Sequence, residues 1–145
     1  MPVRDRTKEL AIEWLKRDEG LRLFPYLDTA DPPKLTIGYG RNIEENGLSE
    51  AEAEMLLAND YQVAKNDAKK YIGEASFDLL KPSAQAVLTC MAFNLGINRL
   101  KKFIKLKACI HAGDMAGAQR EMLNSKWATQ VGARANRLAE ALLQE

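Results

Sequence analysis

Cysteine, histidine and net charge are what this chain has least of, and each shortage narrows what it can do. There are two cysteines, one histidine and a formal net charge of +1 in 145 residues. Cys90 and Cys109 form no C-x-x-C arrangement and fall in segments of helical pattern. They are expected to be free, buried thiols, with a disulfide between them as the alternative that geometry decides. His111 lies on a predicted helix and is read as a surface or boundary residue, not a catalyst. Near-neutrality argues against a nucleic-acid partner, which calls for a basic excess. No apolar run is long enough to cross a membrane, so no stable membrane insertion is expected. Met1 to Lys16 is charged throughout and has no apolar stretch, so it is not read as a secretory signal. What remains is an ordinary globular composition, 46% hydrophobic and 28% charged. Folding a chain of this size buries roughly 68–70% of the surface it exposes when unfolded, so no disulfide or metal staple is needed.

Leu10, Ala11, Trp14 and Leu15 share one helical face between Thr7 and Asp18. Asp5 or Thr7 caps the start, and Gly20 ends the helix just after Glu19. From Leu21 to Ile43 strand formers take over: Phe24, Tyr26, Leu35, Thr36, Ile37 and Tyr39. This predicts a small antiparallel hairpin or three-stranded sheet, turning at Thr29–Lys34. Asp28 falls at the end of the first strand.

Ser49 and Glu52 form a capping box that opens a long helix running to about Ile72 and ending at Gly73. At about 1.5 Å per residue it spans roughly 35 Å. Everything later is helical in pattern. A nearly all-apolar helix runs from Pro82 to Gly96, others from about Arg99 to Ala112 and from Asp114 to near Asn124, and a last one from Ala133 to Leu143. Trp14 and Trp127 are read as core anchors. The fold class is α+β and mostly helical, with a small antiparallel sheet lobe joined by the long helix to a helical lobe. Residues 1–145 are expected to form a single domain, with the sheet lobe at about 20–58 and the helical lobe from 1–19 and 59–145.

Glycoside hydrolysis needs two carboxyl groups flanking the scissile bond, one protonated and one ionised. Glu19 sits where the negative end of a helix dipole disfavours ionisation. Asp28, on a polar turn, keeps its charge more easily. The two environments differ in the direction the chemistry needs.

The blocks Asp18-Glu19-Gly20-Leu21-Arg22-Leu23, Tyr26-Leu27-Asp28-Thr29 and Leu35-Thr36-Ile37-Gly38-Tyr39-Gly40 closely resemble the opening of the phage-type lysozymes, muramidases of the T-even bacteriophage type. The resemblance continues at Met91 to Gly96, at Phe103, and at Ser125-Lys126-Trp127 with Gln130, Arg134, Ala135 and Arg137. It implies a lysozyme-like fold and an endolysin that hydrolyses the β-1,4 bond between N-acetylmuramic acid and N-acetylglucosamine in peptidoglycan, with inversion. In such inversion the carboxyls stand about 6.5–9.5 Å apart, leaving room for a water. By the same resemblance Glu19 is the general acid, Asp28 holds or activates the water, and Thr36 positions it.

Phe93, Asn94, Asn42 and Arg134 are implied substrate-binding residues, Arg134 also orienting the Glu19 carboxyl. No metal or cofactor is implied. A monomer is the default expectation, and the resemblance further implies accumulation in the host cytoplasm and release to the wall through a holin or similar partner. Two other readings are a lytic transglycosylase, which needs one acid and no water, and a non-catalytic wall-binding module. The chain departs from the family at Asp31–Lys34, which lengthens the path from Asp28 to Thr36, at Arg41-Asn42, and at Leu106 and Glu121 on the later helices.

Overall fold

The computed structural model describes residues 3–144. It is an α+β, mostly helical chain with one small antiparallel sheet. By internal packing it divides into two compact units, Met1–Ala53 and Glu54–Glu145.

The first unit opens with α1 (Arg6–Glu19), whose start is capped by the Asp5 side chain accepting the Lys8 amide N–H. The strands β1 (Arg22–Leu27), β2 (Leu35–Gly38) and β3 (Arg41–Asn42) follow, with β2 in the centre. Tyr26 pairs with Thr36 across β1 and β2, and Thr36 pairs with Asn42 across β2 and β3. The single helical turn α2 (Ile43–Asn46) is capped by Asn42, and α3 (Glu50–Ile72) starts at the expected capping box. There the Ser49 hydroxyl accepts the Glu52 N–H at 3.1 Å, and the Glu52 carboxylate accepts the Ser49 N–H at 2.8 Å. In this division α1 groups with the sheet, whereas the sequence reading placed residues 1–19 with the later helices. The links are local: Lys16 lies over the Tyr39 ring, and Glu19 lies against Gly40.

One expectation on the first unit needs correction. Trp14 is 50% exposed and anchors no core. No residue of α1 is buried. The helical turn α2 was also absent from the sequence reading, because four residues carry no periodicity to read.

The second unit holds the core. Within it α3 buries Ala64, Ala68, Tyr71 and Ile72, and α5 (Pro82–Leu100) buries Val87, Leu88, Met91 and Leu100. The Tyr71 hydroxyl donates to the Phe103 carbonyl at 2.5 Å, and burial pushes its phenol well above the ordinary range. α5 breaks helical geometry at Gly96, the expected stop, then resumes to Leu100. The next helix therefore begins later than the sequence suggested: α6 spans Ile104–His111, after a turn in which the Phe103 N–H bonds the Leu100 carbonyl. The short α4 (Glu74–Asp78) and α8 (Lys126–Val131) were not foreseen, while α7 (Met115–Leu123) and α9 (Ala133–Ala141) lie where expected. Trp127 is a core anchor, buried edge-on against Phe103. Cys90 and Cys109 are free but only partly buried. No helix among the described residues is long and apolar enough to cross a membrane.

One clamp closes the first unit. The Arg41 guanidinium forms a two-pronged pair with the Glu52 carboxylate and also donates to the Gly47 carbonyl at 3.0 Å. It ties β3 to the start of α3. Arg41, and then the Ser49 N–H and hydroxyl, hold the Glu52 carboxyl at about 2 against an ordinary 4.5. A carboxyl held below its unfolded value stabilises the fold above that value and loses this contribution as pH falls through the folded one. The window is thus about pH 4.5 down to 2. Across it, the melting temperature of the wild type is expected to fall more steeply than that of Glu52→Gln. Parallel curves in a calorimetric pH series would show that the clamp carries no such linkage.

Candidate active site

The sequence-predicted catalytic residues Glu19, Asp28 and Thr36 all lie in the first unit. Glu19 is the last residue of α1, exposed, where Gly20 turns the chain into β1. Its carboxyl rests on the backbone of Gly40. A Cβ placed on Gly40 would stand 2.6 Å from the nearer carboxylate oxygen. Gly40 also has φ +71°, a conformation that side chains disfavour. The glycine therefore makes room for the carboxyl.

Asp28 follows β1 directly and is half-buried. One carboxylate oxygen accepts the Ala30 N–H at 3.1 Å and the Lys34 N–H at 2.8 Å. This closes the Thr29–Pro33 loop across the aspartate and leaves the other oxygen without a hydrogen bond among the described residues. Thr36, on the central strand, is buried, and its hydroxyl donates to the Lys34 carbonyl at 2.9 Å. That carbonyl also accepts the Asp28 N–H at 3.0 Å. With its hydrogen committed to backbone, the Thr36 oxygen keeps lone pairs free to accept from a water. Asp28 and Thr36 thus meet at the backbone of one residue, Lys34.

The Lys34 side chain is held as well. Its ammonium lies 2.8 Å from a Glu45 carboxylate oxygen and 3.6 Å from one of Glu44, both on α2. The hydrogen bond to Glu45 raises the lysine above its ordinary range and lowers the glutamate below its own. Asn42, a predicted substrate-binding residue, belongs to this same knot. Its side-chain oxygen accepts the Glu45 N–H at 3.0 Å, and its side-chain nitrogen donates to the Glu45 carboxylate at 3.1 Å. Sequence reasoning passed over Lys34 and Glu45. The available signal was the Asn42-Ile43-Glu44-Glu45 run, an N-cap with an acid three residues on.

The remaining predicted residues lie in the second unit. Asn94 uses its side-chain oxygen to accept the Trp127 indole N–H at 2.8 Å. Trp127 lines a groove of about 620 Å³ with an apolar floor of Leu95, Phe103 and Leu106, bordered by Glu121 and Lys126. Phe93, 47% exposed, lines a separate cavity of about 310 Å³ beside Asp60 and Asp67. Arg134 is half-buried near the start of α9. Among the described residues no three His, Cys, Asp or Glu side chains gather as a metal site.

A sequence model of the phage lysozyme family matches residues 16–143, which includes every one of these positions. The chain belongs to the phage lysozyme family. Membership places it among glycoside hydrolases with muramidase activity, lytic for peptidoglycan. It is 29% identical over 168 aligned residues to the pre-baseplate central spike protein Gp5 of Enterobacteria phage T4, covering 99% of this chain and 29% of that protein. It is 28% identical to a probable T4-type lysozyme 2 of Dictyostelium discoideum, covering 87% of this chain and 89% of that protein. The chain therefore spans less than a third of the first relative and most of the second.

Proposed function

We propose that this protein hydrolyses the β-1,4 bond between N-acetylmuramic acid and N-acetylglucosamine with inversion, residues 1–145 acting as one lysozyme-like domain. Glu19 is the general acid that protonates the leaving oxygen. Asp28 holds or activates the attacking water, and Thr36 positions it. The observation that carries this reading is the joining of Asp28 and Thr36 through the Lys34 backbone, with a carboxylate oxygen and a hydroxyl lone pair left for a water. A lytic transglycosylase needs an acid but no positioned water, so that pairing would have no task there. Phe93, Asn94, Asn42 and Arg134 form the proposed substrate-binding set, with Asn42 acting from a side chain that also holds α2. The biological setting we propose is that of an endolysin, a monomer kept in the host cytoplasm and released to the wall by a holin or similar partner.

Product analysis tests the chemistry. Mass spectrometry of cleaved peptidoglycan is expected to show muramic acid ends heavier by one water than the 1,6-anhydro form. Proton NMR of fresh product is expected to show the α anomer first. Anhydro ends would replace the reading with transglycosylation, and β anomer first would replace inversion with retention.

A further inference from the structure

An ion pair in water contributes little to folding, because screening and side-chain ordering offset most of its attraction. Lys34 nevertheless has two carboxylates on its ammonium, and one of them, Glu45, is held in place by both ends of the Asn42 amide. The backbone of Lys34 is equally engaged. Its N–H goes to the Asp28 carboxylate, and its carbonyl takes the Asp28 N–H and the Thr36 hydroxyl. One residue therefore bonds both groups proposed to handle the water, and its ammonium is held by two carboxylates of α2. It stands where the exposed Thr29–Pro33 loop returns to the sheet. A displacement of that closing residue would move Asp28 and Thr36 relative to each other, because both bond to its backbone. The two carboxylates on its ammonium are the side-chain contacts that resist such a displacement.

We propose that Lys34 is a positioning residue for hydrolysis, its ammonium bound to Glu45 and Glu44 fixing the backbone that sets Asp28 against Thr36. The inference rests on the proposed roles of Asp28 and Thr36. Lys34 touches neither sugar nor water in this scheme and acts through those two side chains. Its loss should therefore lower turnover and leave substrate affinity alone, since misplacement by about 1 Å costs up to about 100-fold in rate.

The test uses the full chain acting on soluble peptidoglycan oligomers. In Lys34→Met, kcat is expected to fall about 10-fold or more, with KM and melting temperature near wild type. Lys34→Arg is expected to restore most of the loss, because a guanidinium can bridge both carboxylates. Arg4→Met removes the same charge from the exposed Arg4–Glu9 pair and is expected to keep wild-type kcat. A Lys34→Met enzyme no slower than Arg4→Met overturns the proposal. If Lys34→Met fails to fold, the Glu44→Met, Glu45→Met double variant removes both acceptors of the ammonium from the other side. Wild-type kcat there overturns the proposal equally. Asp28→Asn separates the two levels. Full turnover in that variant removes the underlying reading of Asp28, whereas a dead Asp28→Asn beside a fully active Lys34→Met removes only the role of Lys34.

Discussion

Glu19→Gln is expected to abolish lysis of outer-membrane-permeabilised bacteria while leaving the fold intact. The amide keeps the shape of the side chain and removes the only proton it could give. General-acid catalysis is worth about 10²- to 10⁴-fold in rate, so loss of turbidity clearance should be of that order. Stability should move the other way or not at all. Glu19 closes α1, where the negative end of the helix dipole meets its carboxylate, and Lys16 and Arg17 are the basic residues of that last turn. Removing the charge relieves an unfavourable contact, so the melting temperature should stay level or rise slightly. A less stable and inactive variant would point to a structural role, and an active one would sink the general-acid assignment. Activity lost at unchanged or greater stability is what an acid maintained at some cost to the helix predicts.

How far the sequence could be read depended on whether its signals were local. Ser49 and Glu52 announced the start of α3 because a capping box is complete within four residues. The order Glu19, Asp28, Thr36 was legible as a motif. The two prolines at Pro32-Pro33 marked the turn between β1 and β2, since neither can serve a central strand. What stayed hidden depended on tertiary contacts. Trp14 has the composition of an anchor, but burial is set by what packs against a face and not by its residue types. Helix α6 begins at Ile104 because three residues after α5 form a turn, and its apolar pattern continues through them unchanged. Lys34 looked like one more surface lysine in a chain with 21 basic residues. Its place at the meeting of Asp28 and Thr36 comes from the register of β1 on β2, which no local pattern encodes.

The close approach of the Glu19 carboxyl should make Gly40 the most sensitive glycine of the site. Gly40→Ala adds one methyl group with two consequences. A positive φ costs a residue with a side chain roughly 1–2 kcal/mol, which should lower the melting temperature. The new carbon would also fall 2.6 Å from the Glu19 carboxylate, so the acid must move away from the backbone it rests on. Gly38→Ala separates these effects. Gly38 has φ +73°, nearly the same strain, but nothing lies within 4 Å of the added carbon. Both variants are expected to lose similar stability. Gly40→Ala should additionally lose up to about 100-fold in kcat, the rate penalty of a catalytic group displaced by about 1 Å. Measured below both melting transitions, equal kcat in the two variants would mean that the seat of the Glu19 carboxyl on Gly40 has no part in turnover. A selective loss in Gly40→Ala would assign the second glycine of the Thr36-Ile37-Gly38-Tyr39-Gly40 run to catalysis through Glu19, and not to the turn alone.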